Sequence, residues 1–196
     1  SKKLVTLMHV NNEIGTILDL KQVAVLCQRH AALFHSDAVQ GVGHYELDLS
    51  DVPIDFLSAA AHKFHGPKGV GFSFVRSNSG LNPFILGGSQ ERGLRAGTES
   101  VHNIMGMAKA LEISYAKLEE ERNYIKDLKA YAQKRFIDLF PEVHFNGCCG
   151  NEDKSTYTLL NVCLPVPPDK AGLLDFHLDL KGVACSKGSA CQSGST

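Results

Sequence analysis

The sequence predicts an α/β fold with a mainly parallel sheet, followed by the start of a small α+β domain. Three observations lead there. Strand-length apolar runs alternate with a helical pattern in the first part of the chain. Successive apolar runs end in polar residues, as in open α/β sheets, whose ligands bind outside the carboxyl ends of the strands. From Val101 the pattern turns strongly helical, then gives way to short strand-like runs. The expected boundary separates residues 1–118, part of a large domain, from 119–196, a linking helix and a partial small domain.

The first apolar run, residues 4–10, has strand length and breaks at Asn11-Asn12-Glu13-Ile14-Gly15, a turn-forming stretch. Asp19 is placed to cap a helix on which Leu20, Val23, Ala24 and Cys27 recur at helical spacing. A second strand, residues 31–34, leads into His35-Ser36-Asp37-Ala38-Val39-Gln40. A third, 54–60, ends at His62-Lys63, and a fourth, 70–75, follows Gly66-Pro67-Lys68-Gly69. Asn12, Asp37, Gln40, His62 and Lys63 are therefore expected to converge on one ligand, although Asn12 and Asp37 equally suit turn-forming and capping roles. Residues 87–98 are glycine-rich, and their backbone N–H groups suit either an anion or a plain connector. The helical stripe from Ile104 to Leu139 is too long for one straight helix, with a break expected within 118–123. Beyond Pro141, strands are expected at 143–146, 158–164 and 182–185, around a helix at 169–180.

Composition narrows the partners. The 20 basic and 21 acidic residues nearly cancel, and no Lys/Arg run is present, so neither nucleic acid nor a membrane surface is an expected partner. No apolar run approaches the length of a membrane span, and Ser1-Lys2-Lys3-Leu4 lacks the features of a signal peptide, which favours a cytoplasmic setting. Cys27, Cys148, Cys149, Cys163, Cys185 and Cys191 show no paired CxxC spacing, so no metal site is expected. Cys27 and Cys163 fall in apolar patterns and read as buried thiols, whereas Cys191 lies in a small-residue stretch that suits either a loose tail or an accessible reactive thiol.

Lys63 follows a run of small residues, Ser58-Ala59-Ala60-Ala61, at the edge of a core. Burial there would disfavour the ammonium form and free the amine to condense with an aldehyde. That is the chemistry of a Schiff-base lysine, while a lone lysine here also suits a plain surface position at the start of a loop.

Five motifs in order, Met8-His9-Val10-Asn11-Asn12-Glu13-Ile14-Gly15, His35-Ser36-Asp37-Ala38-Val39-Gln40, His62-Lys63 with Gly66-Pro67-Lys68-Gly69, Arg95-Ala96-Gly97-Thr98 and Ser186-Lys187-Gly188-Ser189-Ala190-Cys191, resemble those of the cysteine desulfurases. These are pyridoxal-phosphate enzymes of fold type I in the class V aminotransferase-like family. The last motif is similar to the group with a Ser-x-Gly-Ser-Ala-Cys loop. The resemblance implies that residues 1–118 are part of a fold type I large domain. It implies Lys63 as the lysine linked to pyridoxal 5'-phosphate and Asp37 as the partner of the pyridinium nitrogen. Gln40 and Asn12 would lie at the ring hydroxyl, with Asn12 also near the substrate carboxylate. His62 would contact the phosphate, and Thr98 would reach a phosphate across a homodimer interface. Cys191 would attack the sulfur of L-cysteine, leaving alanine and a persulfide destined for an iron–sulfur scaffold or another sulfur acceptor protein.

Departures from the family pattern shape further expectations. Ala60 stands where family members often carry a phosphate-binding serine. The upstream phosphate-binding turn, the ring-stacking histidine and the downstream carboxylate-binding arginine have no counterpart in these residues, so the chain resembles an internal fragment that is incomplete as an enzyme by itself. Selenocysteine lyase and a same-fold aminotransferase are alternative activities. A non-catalytic sulfur-relay or interaction fragment exposing Cys191 is the alternative from another class.

Overall fold

The computed structural model describes residues 2–188. Its elements run β1 (Lys3–Met8), α1 (Leu20–Arg29), β2 (Ala32–Asp37), β3 (Phe56–Ala60), β4 (Gly71–Val75), α2 (Val101–Ala116), α3 (Leu118–Leu139), β5 (His144–Phe145), β6 (Val162–Cys163), α4 (Pro168–Ala171) and α5 (Leu174–Asp179). Two compact units emerge: one holds the chain through Val10 and Leu18–Arg122, the other Asn11–Ile17 and the chain from Asn123 onward. No helix among the described residues is long and apolar enough to cross a membrane.

The first unit is built on a four-stranded sheet in the order β1-β2-β3-β4. β1, β2 and β3 are parallel, as the alternation of elements predicts, while β4 runs antiparallel to β3. Residues 61–70, which join β3 to β4, are shorter than the dozen or so residues a parallel crossover needs. α1 makes the crossover from β1 to β2. Its N-cap Asp19 accepts a hydrogen bond from the Gln22 N–H at 2.9 Å, and Leu20, Ala24 and Cys27 bury one helical stripe. The core continues through Phe34, Ile54, Leu57, Ala59, Ala61 and Phe64, against which Met107, Ala110 and Leu111 of α2 pack. Alternate strand residues face the opposite way: His35, Asp37 and Ser58 lie on the less buried face of the sheet.

The long helical stripe breaks at Lys117 (φ −107°, ψ 4°), one residue before the expected window. In the second unit α3 is joined to the segment before β6 by Lys129, whose ammonium donates to Ser155 Oγ (2.9 Å) and to the Thr156 carbonyl (2.6 Å). The expected helix at 169–180 is interrupted between α4 and α5 at Gly172, a poor residue for a helix interior. The expected strand at 182–185 is absent. Gly182 adopts φ 77° and the Val183 N–H donates back to Leu178 O at 2.9 Å, a C-terminal cap on α5 that diverts the backbone from sheet pairing. Cys163 is exposed, contrary to its apolar sequence pattern, because β6 is a two-residue strand paired only with β5.

Candidate active site

Polar groups gather at the carboxyl ends of the three parallel strands. At the end of β1 the His9 N–H donates to Asp37 O at 2.8 Å, and at the end of β2 the Ala38 N–H donates to Ser58 O at 2.9 Å. These bonds carry the sheet ladder past the last strand residues and fix Asp37 between its neighbours. Asp37 Oδ1 accepts the Val39 N–H at 3.0 Å, an Asx turn that swings the chain toward Gln40. The other carboxylate oxygen receives no hydrogen bond among the described residues. Turn formation thus uses half of the carboxylate, and the rest remains available to a cation. On the same face His35 bridges two strands, with Nδ1 2.7 Å from Thr6 Oγ1 and Nε2 2.9 Å from Ser58 Oγ.

Lys63 stands just beyond β3, on a 3₁₀ turn over Ala61–Phe64. Residues three apart eclipse on a 3₁₀ turn. Ala61 and Phe64 therefore share the face that enters the core, and His62 and Lys63 are left exposed. The burial expected for Lys63 is not found, because the core takes its two turn neighbours instead. The turn itself is well held. Lys63 O accepts from His44 Nε2 at 2.9 Å, and Phe64 O accepts from Ser114 Oγ at 3.4 Å. Gly43, at φ 82°, lets the backbone pass close to Phe64, since a Cβ there would meet Phe64 Cβ at 2.6 Å. His65 closes the turn in the left-handed region at φ 66°.

Asp37, Gln40, His62 and Lys63 thus belong to one edge of the first unit's sheet, with Ala60 on the strand leading into the turn. Thr98 belongs to the same unit but lies exposed, two residues before the helix cap Ser100, and among the described residues no bond ties it to that edge. Asn12 lies in the second unit, within the Asn11–Ile17 segment. There the turn is made by Asn11, whose Oδ1 accepts the N–H groups of Glu13 (2.9 Å) and Ile14 (3.0 Å), so the turn does not use the Asn12 amide. Cys191 lies outside the described residues.

His9, His35, His44 and Ser114 take up positions that the sequence reading left unassigned. His9 is buried, packs edge-on against Tyr45 with ring centroids 5.6 Å apart, and has its pKa lowered by burial to about 4. Its nearness to motif residues was the sequence signal. His44 and Ser114 have no such signal, because their partners lie 19 and 50 residues away along the chain.

Comparison with known proteins gives this geometry its context. The family profile "Aminotransferase class-V" matches residues 1–195. A relative named cysteine desulfurase IscS, from Dictyoglomus turgidum, is 39% identical over 192 residues, covering 98% of this chain and 48% of that protein. The solved structure of a NifS-like protein superimposes with a TM-score of 0.85 at 34% identity, over 95% of this chain and 50% of the other. Another, titled "SspA in complex with cysteine", gives a TM-score of 0.73 at 30% identity, over 97% of this chain and 51% of its own. The chain spans about half the length of the curated relatives it matches. With a family match running essentially from end to end and a parallel-strand edge bearing Asp37 and Lys63, the chain belongs to the aminotransferase class-V family.

Proposed function

We propose that this chain is the lysine- and thiol-bearing part of a pyridoxal-phosphate-dependent cysteine desulfurase. The observation that carries the reading is the adjacency of β2 and β3: one strand ends in a half-committed aspartate, and the other leads into a turn with an exposed lysine. That donor set fits the cofactor: a carboxylate oxygen with no partner suits a protonated ring nitrogen, and a primary amine suits an aldehyde. When bound, pyridoxal phosphate supplies an electron sink for charge developing at the substrate's Cα.

The chain's own groups divide the remaining work. Asp37 would keep the ring nitrogen protonated, Gln40 and Asn12 would donate hydrogen bonds toward the ring hydroxyl, and His62 and Thr98 would serve the phosphate. Ala60 contributes no hydroxyl to that phosphate site. Lys63 would hold the cofactor's aldehyde group, and its amine would move protons at the substrate as a general base and acid. Cys191, as thiolate, attacks the sulfur of L-cysteine. The substrate's C–S bond breaks, a proton is returned to carbon, and the products are L-alanine and a persulfide on Cys191. The persulfide then passes to an acceptor, an iron–sulfur scaffold or thiolation protein, in the cytoplasm.

A homodimer fits the exposed apolar side chains near the glycine-rich segment, where Phe84 is 97% and Leu86 78% exposed. In that assembly Thr98 serves the phosphate of the partner subunit.

The test is made on the full-length protein. Wild type should show the visible absorbance band of lysine-linked pyridoxal phosphate, and Lys63→Ala should lose it. Cys191→Ser should keep the band and lose persulfide formation from L-cysteine. A Lys63→Ala protein with an unchanged band, or full sulfur transfer by Cys191→Ser, would overturn the assignment.

A further inference from the structure

We propose that His44 is a positioning residue for Lys63, holding the backbone of the lysine's turn so that the side chain leaves it in a fixed direction. This rests on the reading of Lys63 as the cofactor lysine. The Lys63 side chain is exposed. Its aim is therefore set where the chain is anchored, at its own backbone. A 3₁₀ turn of only four residues, Ala61–Phe64, is a weak anchor by itself. Its end is also strained, since His65 is a non-glycine residue in the left-handed region.

Bonds from outside the turn compensate. On one side Ser114 of α2 donates to Phe64 O, and Gly106 of α2 lies against Pro67, whose Cγ would be 2.8 Å from a Cβ at that glycine. On the other side, the segment that follows Asp37 and Gln40 supplies Gly43 against Phe64 and His44 against Lys63. His44 is the one of these groups that bonds the lysine residue itself, 2.9 Å from Nε2 to Lys63 O. A carbonyl oxygen only accepts, so Nε2 carries the proton in this bond. The bond also spans the two halves of the site, because His44 sits four residues beyond Gln40. It adds a side-chain tie between the segment after Asp37 and the Lys63 turn, beyond the Ala38–Ser58 bond at the strand ends. His44 is half-buried at the rim, where water can satisfy the carbonyl if the ring is removed. Its loss should then loosen the turn while sparing the fold.

The experiment uses the full-length protein with His44→Ala and His44→Gln, the latter retaining an N–H donor. Amide hydrogen exchange over residues 61–66 is measured without cofactor, alongside the melting temperature. The dissociation constant for pyridoxal phosphate is read from the Lys63-dependent absorbance band. His44→Ala should exchange and bind about fivefold to tenfold less favourably than wild type, the effect of one net hydrogen bond, at a nearly unchanged melting temperature. His44→Gln should recover most of both.

Equal exchange and equal binding in His44→Ala and wild type would overturn the proposal, as would a His44→Gln protein as impaired as His44→Ala. Should His44→Ala fail to fold, His44→Gln against His44→Met, of similar length without a donor, carries the same comparison. A wild-type protein without the Lys63-dependent band would instead sink the functional reading, and the role of His44 toward the cofactor with it. A normal wild-type band with indifferent variants sinks the role of His44 alone.

Discussion

His9, at the end of β1, shows how a single buried side chain bears on stability. Its backbone joins Asp37, its ring packs on Tyr45, and its Nδ1 is buried without a hydrogen-bond partner among the described residues. A Cβ on Gly41 would overlap the imidazole, so the glycine is what leaves the ring its buried place. Burial lowers its pKa from 6.5 to about 4. The unfolded chain therefore takes up a proton below pH 6.5 that the folded chain refuses until about pH 4, and stability falls as pH falls through that window. The full effect is on the order of 3 kcal/mol at most. Denaturant unfolding between pH 4 and 7 should show this slope, and His9→Phe should remove one proton's worth of it. Lys63 carries the complementary lesson. Its place beyond a strand end was legible from the small-residue run and the Gly-Pro turn. The choice between burial and a surface position was not, since it follows from which face of a 3₁₀ turn meets the core.

Among the elements, the turn segments position more chemistry than the helices do. Gly43 serves two demands at once, a left-handed backbone at φ 82° and a close approach to Phe64. Gly43→Ala should cost about 2–4 kcal/mol, combining left-handed strain with overpacking, and thermal unfolding would read it as a clear drop in melting temperature. The elements with strong local codes were legible: α1 from Asp19 and its stripe, the α2–α3 stretch from its apolar spacing, β1 to β3 from apolar runs ending in polar groups. The strand expected at 182–185 failed for a local reason. Gly182 caps α5, and a short apolar run with no neighbouring strand among the described residues has no ladder to join. Antiparallel β4 could be inferred from its short connection, whereas the exposure of Cys163 depended on how little of a sheet surrounds β6.

At the scale of the molecule, the chain leaves much apolar surface uncovered. Leu4 of β1 is 60% exposed on an edge strand, and Phe84 and Leu86 stand almost fully in water. Expressed as these 196 residues alone, the chain should self-associate, and Phe84→Ser with Leu86→Ser should shift it toward smaller species in sedimentation velocity. An unchanged distribution would show that this patch does not drive association. The sequence by itself determined the α/β class, the parallel order of the first strands, and the residue types presented at their ends. These follow from short-range rules: periodicity, caps and turn residues act over a few positions. Only the tertiary structure decided that Asn11 rather than Asn12 makes the first turn, that Lys63 faces water, and that His44, Ser114 and Gly43 hold the lysine's turn. Each of those depends on a side chain meeting a partner set by packing and by competing backbone hydrogen bonds, which no local pattern encodes.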